Sequence, residues 1–429
     1  MTDYNAAAMR RRRRRSVWTI ALLLLLVPVS SWSAEREATV DSPKLTFEPN
    51  LPVIFLTAKG QIDKVQKTPC TLAMMTPGQL HTDDSNSWTG TLKLHGGVSA
   101  GFPKRSFALT LASSTRLLDL RQSAHWVLNA VFIDRSFMRH KLSYDLFRSL
   151  DKPDARRFAV ASRFVEVFFN GDYHGLYLLM ERVDGPLLGL RQFGSNEVNH
   201  ACIYKAVDHA ANFSQPGHAG YEQREPDGLI REYWRPLDEL DRFASRAKDN
   251  DFFDPQTGIA SRMDLDNAAD FYLLVLLTSN LDGITKNFMV AKDAPRDEQP
   301  KPLFFFVPWD YDGTFGRNWD ASAVDATAWL SNHLFDRLMG DRAFRERLTS
   351  RWKNLREQEF SAKTIQAMIE SNARSIGDAA RRNAARWRSV AGHYPDRLSF
   401  EEDLAQMKSW IESRSKWLDR EFKRRIAGP

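Results

Sequence analysis

Asn280-Leu281-Asp282-Gly283-Ile284-Thr285-Lys286-Asn287 and Pro308-Trp309-Asp310-Tyr311-Asp312-Gly313-Thr314-Phe315-Gly316 are two polar turns, each delivered by an apolar run. The first follows Ala268-Ala269-Asp270-Phe271-Tyr272-Leu273-Leu274-Val275-Leu276-Leu277; the second follows Leu303-Phe304-Phe305-Phe306-Val307. In both, a buried element carries carboxylates or an amide to its end, which is how a fold presents oxygen ligands to a hard cation such as Mg2+. Asp264 or Asp266 is placed to cap the first element as a helix ending near Ser279. By themselves, the same residues also fit two ordinary polar turns.

Working towards the N-terminus, Leu51 to Thr57, Thr89 to Leu94 and Ser106 to Leu111 read as strands, the last two by their alternation. Between the second and third lies His95-Gly96-Gly97-Val98-Ser99-Ala100-Gly101-Phe102-Pro103-Lys104-Arg105. Glycines there permit close backbone approach, and a lysine entering the next strand can meet phosphates; a plain glycine-rich hairpin reads the same way. Asp134 opens a helix to about Leu150, with Met138, Leu142, Leu146 and Leu150 on its packed face and Arg139 and Lys141 expected in solvent. Phe164 to Phe169 and Leu176 to Met180 flank Asn170-Gly171, a hairpin turn needing positive φ. Glu181-Arg182-Val183-Asp184-Gly185 follows at once.

The extreme N-terminus has a different character. Arg10 to Arg15 precede an apolar run from Val17 to Val29, and Ser31-Trp32-Ser33 supplies small residues before Ala34. That is the layout of a secretory signal over residues 1–33, with an apolar run too short for a comfortable membrane span; an uncleaved anchor is the alternative. These residues carry +5 of the formal net charge of +6, so the rest of the chain is nearly neutral and nucleic-acid binding is not expected. Cys70 and Cys202 are the two cysteines, and an exported chain can pair them. No H-x-x-x-H pair points to zinc.

Residues 185–262 are the least informative. Gly185 to Asn199 and Asp208 to Asp227 read as loops, Ile203 to Ala206 as a strand and Leu237 to Ala247 as a helix. From Leu334 onward the chain reads as helices, with Phe344, Leu348, Trp352 and Leu355, and later Leu404, Met407, Ile411 and Leu418, as core faces. The Arg381 to Arg388 face is expected in solvent or against an acidic partner.

The order of these pieces resembles the spore coat protein H (CotH) kinase family. The resemblance rests on Gly96 to Phe107, on Trp126-Val127-Leu128 with Asp134, Ser136, Met138 and Arg139, and on Arg163 to Tyr177. It continues through Asn280, Asp282 and Asn287, through Trp309-Asp310-Tyr311-Asp312 with Phe315-Gly316, and into a helical tail with Arg351-Trp352, Arg382-Asn383, Arg386-Trp387, Trp410, Arg414 and Trp417. What it implies is an α+β, two-lobed, atypical protein-kinase-like fold. A lead-in over 34–50 would precede a sheet-rich N-terminal lobe over 51–184 and a helical C-terminal lobe over 185–425. Kinases place a catalytic Asp and a metal-binding Asn at the spacing of Asp282 and Asn287, with a further metal-binding Asp after a strand.

The implied activity is transfer of the γ-phosphoryl of ATP to Ser or Thr hydroxyls of a protein of unknown identity, with Mg2+ or Mn2+. Asp282 would be the catalytic residue, and Asn287 and Asp310 would hold the metal, with Asp312 as a second candidate. Lys104 or Arg105, with Gly97 and Gly101, would meet the nucleotide phosphates, and Lys205 is another candidate. Glu181 and Val183 would form the hinge that contacts adenine. Three departures stand out: His95-Gly96-Gly97 replaces the family's Arg-Gly-Asn, Arg105 replaces the second lysine of its Lys-Lys pair, and no glutamate on the 134–150 helix is available to pair with the lysine, leaving Glu166, Glu181 or Asp145 as substitutes. The alternatives are a non-catalytic, pseudokinase-like envelope or surface protein that binds nucleotide or a partner, and a metal-dependent hydrolase. The expected location is periplasm or cell surface, with no membrane span once the signal is cut.

Overall fold

Strand-forming residues dominate the first third of the computed structural model, which describes residues 45–79, 86–191, 201–228, 230–295, 301–394 and 397–426. The expected signal segment lies outside the described residues. Seven strands close into a barrel: β1 (Val53–Ala58), β2 (Thr68–Met75), β3 (Ser87–His95), β4 (Ser106–Arg116), β5 (Gln122–Asn129), β6 (Ser162–Phe169) and β7 (Asp172–Glu181). Their order is β1-β2-β3-β4-β5-β7-β6, and the parallel pairing of β1 with β6 seals the ring. Ile54, Leu56, Leu72, Leu92, Leu109, Trp126, Val165 and Tyr177 fill its interior. Asn170 and Gly171 turn the β6–β7 hairpin at φ 50° and 89°, as their sequence demands.

Helix α1 (Arg139–Arg148) leaves the barrel between β5 and β6. It starts five residues later than the sequence suggests, because Asp134 closes a turn instead. Its carboxylate accepts from the Ser136 and Arg139 backbone N–H groups at 2.9 and 2.8 Å. After β7 come α2 (Gly185–Leu188), β8 (Cys202–Ala206), β9 (Tyr221–Glu225), α3 (Arg235–Arg246), α4 (Asp249–Phe252) and α5 (Leu265–Thr278). Then β10 (Phe288–Lys292) and β11 (Phe305–Pro308) complete a second, antiparallel sheet in the order β11-β10-β8-β9. The reading of 208–227 as loop missed β9, a short polar strand whose pairing with β8 is set by tertiary contact rather than by pattern. The chain ends in α6 (His333–Gly340), α7 (Arg342–Glu357), α8 (Ala362–Arg386) and α9 (Phe400–Ile426).

Helix α5 is apolar on nearly all sides because it is surrounded. Phe271 stacks on Phe306 of β11 at 4.6 Å between ring centroids, and Tyr272 stacks on Phe335 of α6 at 4.1 Å. Asp264 caps its start, accepting from Asp266 and Asn267 N–H, and Ser279 ends it in the left-handed region at φ 50°. Its one buried carboxylate, Asp270, lies between Arg157 Nε at 2.6 Å and Arg351 Nε at 2.7 Å.

Helix α8 returns to the barrel. Arg382, half-buried, grips the fully buried Glu166 of β6 through Nε at 2.9 Å and Nη2 at 2.7 Å, so this part of the arginine-rich face meets a carboxylate of the barrel. Asn383 accepts from Leu176 N–H at 3.2 Å, and a Cβ on Gly175 would stand 2.3 Å from the Asn383 side chain, so only glycine fits there. Residues 40–429 thus cluster as one compact unit.

Two further expectations change. Arg139 is buried, not solvated: its guanidinium bonds Asp134 at 2.6 Å, Asp403 of α9 at 2.6 and 2.7 Å, and the Thr314 carbonyl at 2.9 Å. Cys70 and Cys202 are both free and buried in separate apolar clusters, one in the barrel and one in the second sheet, so they do not pair. Among the described residues, no helix is long and apolar enough to cross a membrane.

Asp403→Ala leaves Arg139 with half its carboxylate partners inside the protein. It should cost about 3–5 kcal/mol, read as a lower urea midpoint at unchanged slope.

Candidate functional site

A cleft of about 740 Å3 opens where the barrel meets the second sheet. The barrel contributes the turn from His95 to Ser99 and, past the end of β7, Arg182 and Val183. The second sheet contributes Lys205 of β8 and Glu222 and Arg224 of β9. Lys286, Asn287, Asp310 and Asp312 line one end, together with His140 and Tyr144 of α1.

The β10–β11 register assembles that end. Phe288 pairs with Pro308, so the residues just outside the ladder, Asn287 and Trp309–Asp310, are neighbours. Trp309 N–H donates to the Asn287 carbonyl at 3.2 Å, and Asn287 Nδ2 donates to the Asp310 carbonyl at 3.4 Å. Asn287 and Asp310 both hold positive φ, 59° and 57°, a conformation costly for residues with side chains unless their surroundings enforce it. Helix α1 supplies the enforcement: the Tyr144 hydroxyl accepts from Asp310 N–H at 2.8 Å, and His140 Nδ1 accepts from Tyr311 N–H at 3.0 Å.

His140, Asp310 and Asp312 each place a ligand-type atom within 4.8 Å of the others. The hydrogen-bond pattern separates their roles. Because Nδ1 of His140 accepts a backbone N–H, the neutral ring carries its proton on Nε2, which faces Asp310 Oδ1 at 3.9 Å. Burial keeps that ring neutral by lowering its pKa. His140 therefore offers no lone pair to a cation; it fixes the Asp310–Tyr311 backbone through Nδ1, and the available ligands are the two carboxylates and the Asn287 amide oxygen. An all-oxygen set of this kind fits Mg2+ or Mn2+ and not zinc. Asp312 sits beside Asp310, and burial, followed by the Asp310 charge, pushes its pKa well above the usual carboxylate value.

Asp282 stands on the same turn as Asn287, just outside the residues that wall the cleft. Its carboxylate lies 3.2 Å from Lys286 Nζ and 3.7 Å from His209 Nε2. Across the cleft the lining is basic. The Lys205 ammonium lies over the Trp309 ring at 5.7 Å; burial lowers its pKa and Asp310 acts against that. Burial and Lys205 together push the neighbouring His95 down to about 4. Carboxylates at one end and cations opposite suit a metal-bound polyphosphate.

Three of the four acidic and amide residues picked from the two turns, Asn287, Asp310 and Asp312, thus meet in the cleft, with Asp282 just outside it, while the nucleotide-side residues divide. Gly97 and Val183 line the cleft; Gly101 and Arg105 do not. Lys104 reaches its wall but is 1% exposed, with its ammonium donating to the Ala130 carbonyl at 2.8 Å and to the Leu176 carbonyl. That side chain is committed to holding backbone, with Tyr177 facing it at 4.4 Å. Glu181 accepts from Ala161 and Arg121 N–H groups, Glu166 is taken by Arg382, and Asp145 pairs with Lys141, so none is partner to a cleft lysine. His140, Tyr144, Arg182 and Arg224 were missed. The polar pair His140 and Tyr144, one helical turn apart beside the apolar stripe of α1, was the available signal.

A family model described as CotH kinase protein matches residues 92–418. The inner spore coat protein H of Bacillus subtilis (strain 168) is 25% identical over 264 residues, which cover 57% of this chain and 66% of that protein. The match therefore spans about two thirds of the relative's length.

Mn2+ should bind more tightly as pH rises, because the cation must displace the proton that burial and Asp310 hold on Asp312; Asp312→Asn should flatten that slope in an EPR titration. His140→Ala and Tyr144→Phe should each weaken Mn2+ affinity by about 10–100-fold by releasing Asp310 from its fixed orientation.

Proposed function

This chain belongs to the CotH kinase protein family, and on that footing we propose that it is an exported, metal-dependent kinase acting on protein hydroxyls. The single observation that carries the reading is the meeting of Asn287, Asp310 and Asp312 in one cleft with Lys205 and Arg224, with Asp282 on the turn just outside it. In this reading the barrel and the helical region play the parts of the two lobes of an atypical kinase.

Arg182 and Val183 border the place for the nucleotide base, and Lys205, with Arg224 beside it, neutralises the phosphates. Asp310, Asp312 and Asn287 would hold a divalent cation, which would supply charge neutralisation at the transferring phosphoryl group. The acceptor hydroxyl oxygen attacks the γ-phosphorus, and the bond from that phosphorus to the ADP oxygen breaks. The hydroxyl proton passes to the Asp282 carboxylate. Lys286 Nζ, 3.2 Å from that carboxylate, holds Asp282 in orientation. His140 and Tyr144 hold Asp310 in place, so the metal ligands need no rearrangement when the reaction begins.

The printed name of the Bacillus relative places that protein in a spore coat. For this chain, the basic-then-apolar segment over 1–33 supports export to the envelope or cell surface. One observation favours the reading of a binder without transfer: Lys104, at the family's lysine position, is sealed against backbone carbonyls.

Incubating the mature chain with γ-labelled ATP, Mn2+ or Mg2+ and a protein acceptor separates these readings. Asp310→Ala should lower transfer on the order of 10²–10³-fold. Lys205→Met should weaken nucleotide binding, whereas Lys104→Met should change the melting temperature and leave nucleotide affinity in place. Nucleotide binding without label on protein would favour the binder. Label appearing only as free phosphate would favour a hydrolase.

A further inference from the structure

At the far end of β10 from Asn287 lies a second cavity, of about 240 Å3. Arg235, Arg262, Lys292 and Lys301 line it, and Glu239 is the one carboxylate among its lining residues. Glu239 already has the exposed Arg235 at 3.4 Å. The other cations have no such relief. Arg262 packs its guanidinium over the Phe243 ring at 4.0 Å, and its Nε is buried with no hydrogen-bond partner. Among the described residues no carboxylate pairs with Arg262. Lys292 lies 5.0 Å from the Phe304 ring centre and likewise has no ion pair among the described residues. The groups facing its ammonium are Lys301, Arg235, Glu239 and the Cys202 thiol.

Among the described residues, four cations and one carboxylate line this half-buried cavity; the cations repel one another, and Arg262 Nε has lost water that no described group replaces. The arrangement becomes favourable when an anion with several acceptor oxygens enters. Among the described lining residues the positive excess is three, more than one carboxylate can satisfy, and a guanidinium fork beside an ammonium matches the oxygens of a phosphate. We propose that this cavity is a second anion site, separate from the cleft, that takes a phosphate-class dianion: inorganic phosphate or the phosphoryl group of a phosphorylated residue. At about 3.4 Å per residue, Lys292 lies roughly 17 Å along β10 from Asn287, so the two sites do not merge. The site stands whether or not the cleft transfers phosphoryl groups.

The test titrates the mature chain, without nucleotide or metal, with inorganic phosphate, with a phosphoserine peptide, and with the same peptide carrying glutamate at that position. Phosphate should bind, and Lys292→Met or Arg262→Gln should weaken it about tenfold or more, a difference of about 1.4 kcal/mol. Melting curves check the fold of both variants. Lys301→Ala, on an exposed side chain, provides an independent variant and should weaken binding about threefold. Any phosphate that enters the cleft instead is lost in Lys205→Met, and the binding event lost in Lys292→Met should persist in that variant. A phosphoserine peptide that binds more tightly than free phosphate supports a docking site for phosphorylated chains; equal binding supports a free-anion site. The proposal is overturned if no phosphate binds, if folded Lys292→Met and Lys301→Ala bind as the parent does, if Lys205→Met abolishes binding, or if the glutamate peptide binds as well as the phosphoserine peptide.

Discussion

Arg139 ties together the three parts of the chain that build the cleft end. It belongs to α1, one of its carboxylate partners, Asp134, to the turn that leaves the barrel, and the other, Asp403, to the C-terminal helix α9. Its remaining N–H reaches the carbonyl of Thr314, two residues past Asp312. Burial opposes the charge of this guanidinium, but Asp403 and Asp134 outweigh it, and its pKa is raised above the ordinary value. Such a network adds little stability over a well-packed apolar replacement, yet it tolerates no loss of a member. What it provides here is position: α1 cannot shift without leaving a charge uncompensated.

That fixed helix is what permits the strained backbone at the site. Asp310 holds positive φ, and its N–H and that of Tyr311 are both taken by side chains of α1, one helical turn apart. Asn287 reaches the same unfavourable conformation through the opposite constraint, the β10–β11 and β8–β10 ladders on either side of it. Carboxylate and amide therefore meet from two elements that are rigid for different reasons, and the strain of each is offset by packing elsewhere.

The buried lysine and the cleft lysine illustrate how chemistry and structure are divided between similar side chains. Lys104 resembles a phosphate ligand in sequence but serves as a cationic bridge between the Ala130 and Leu176 carbonyls, under the face of Tyr177. Lys205 lies on a strand in an otherwise uninformative region, yet pairing with Met289 of β10 brings it to the wall opposite the acids. Electrostatics at the cleft thus depends on the second sheet more than on the glycine turn.

Local patterns were sufficient wherever neighbours in sequence decide the outcome. The Asn170-Gly171 hairpin, the capping of α5 by Asp264, the left-handed stop at Ser279 and the apolar stripes of the C-terminal helices follow from backbone preference and periodicity. The acids of the two turns were legible because apolar runs that must be buried can only deliver such residues to their ends. The closed barrel, β9, the burial of Arg139, the pairing of Arg382 with Glu166, and the different surroundings of Lys104 and Lys205 were not legible. Each depends on partners far away in the chain, such as Asp403 for Arg139 and Glu166 for Arg382. A charged residue carries no local mark of whether it will face water or a carboxylate 264 positions away, so only the tertiary structure could decide it.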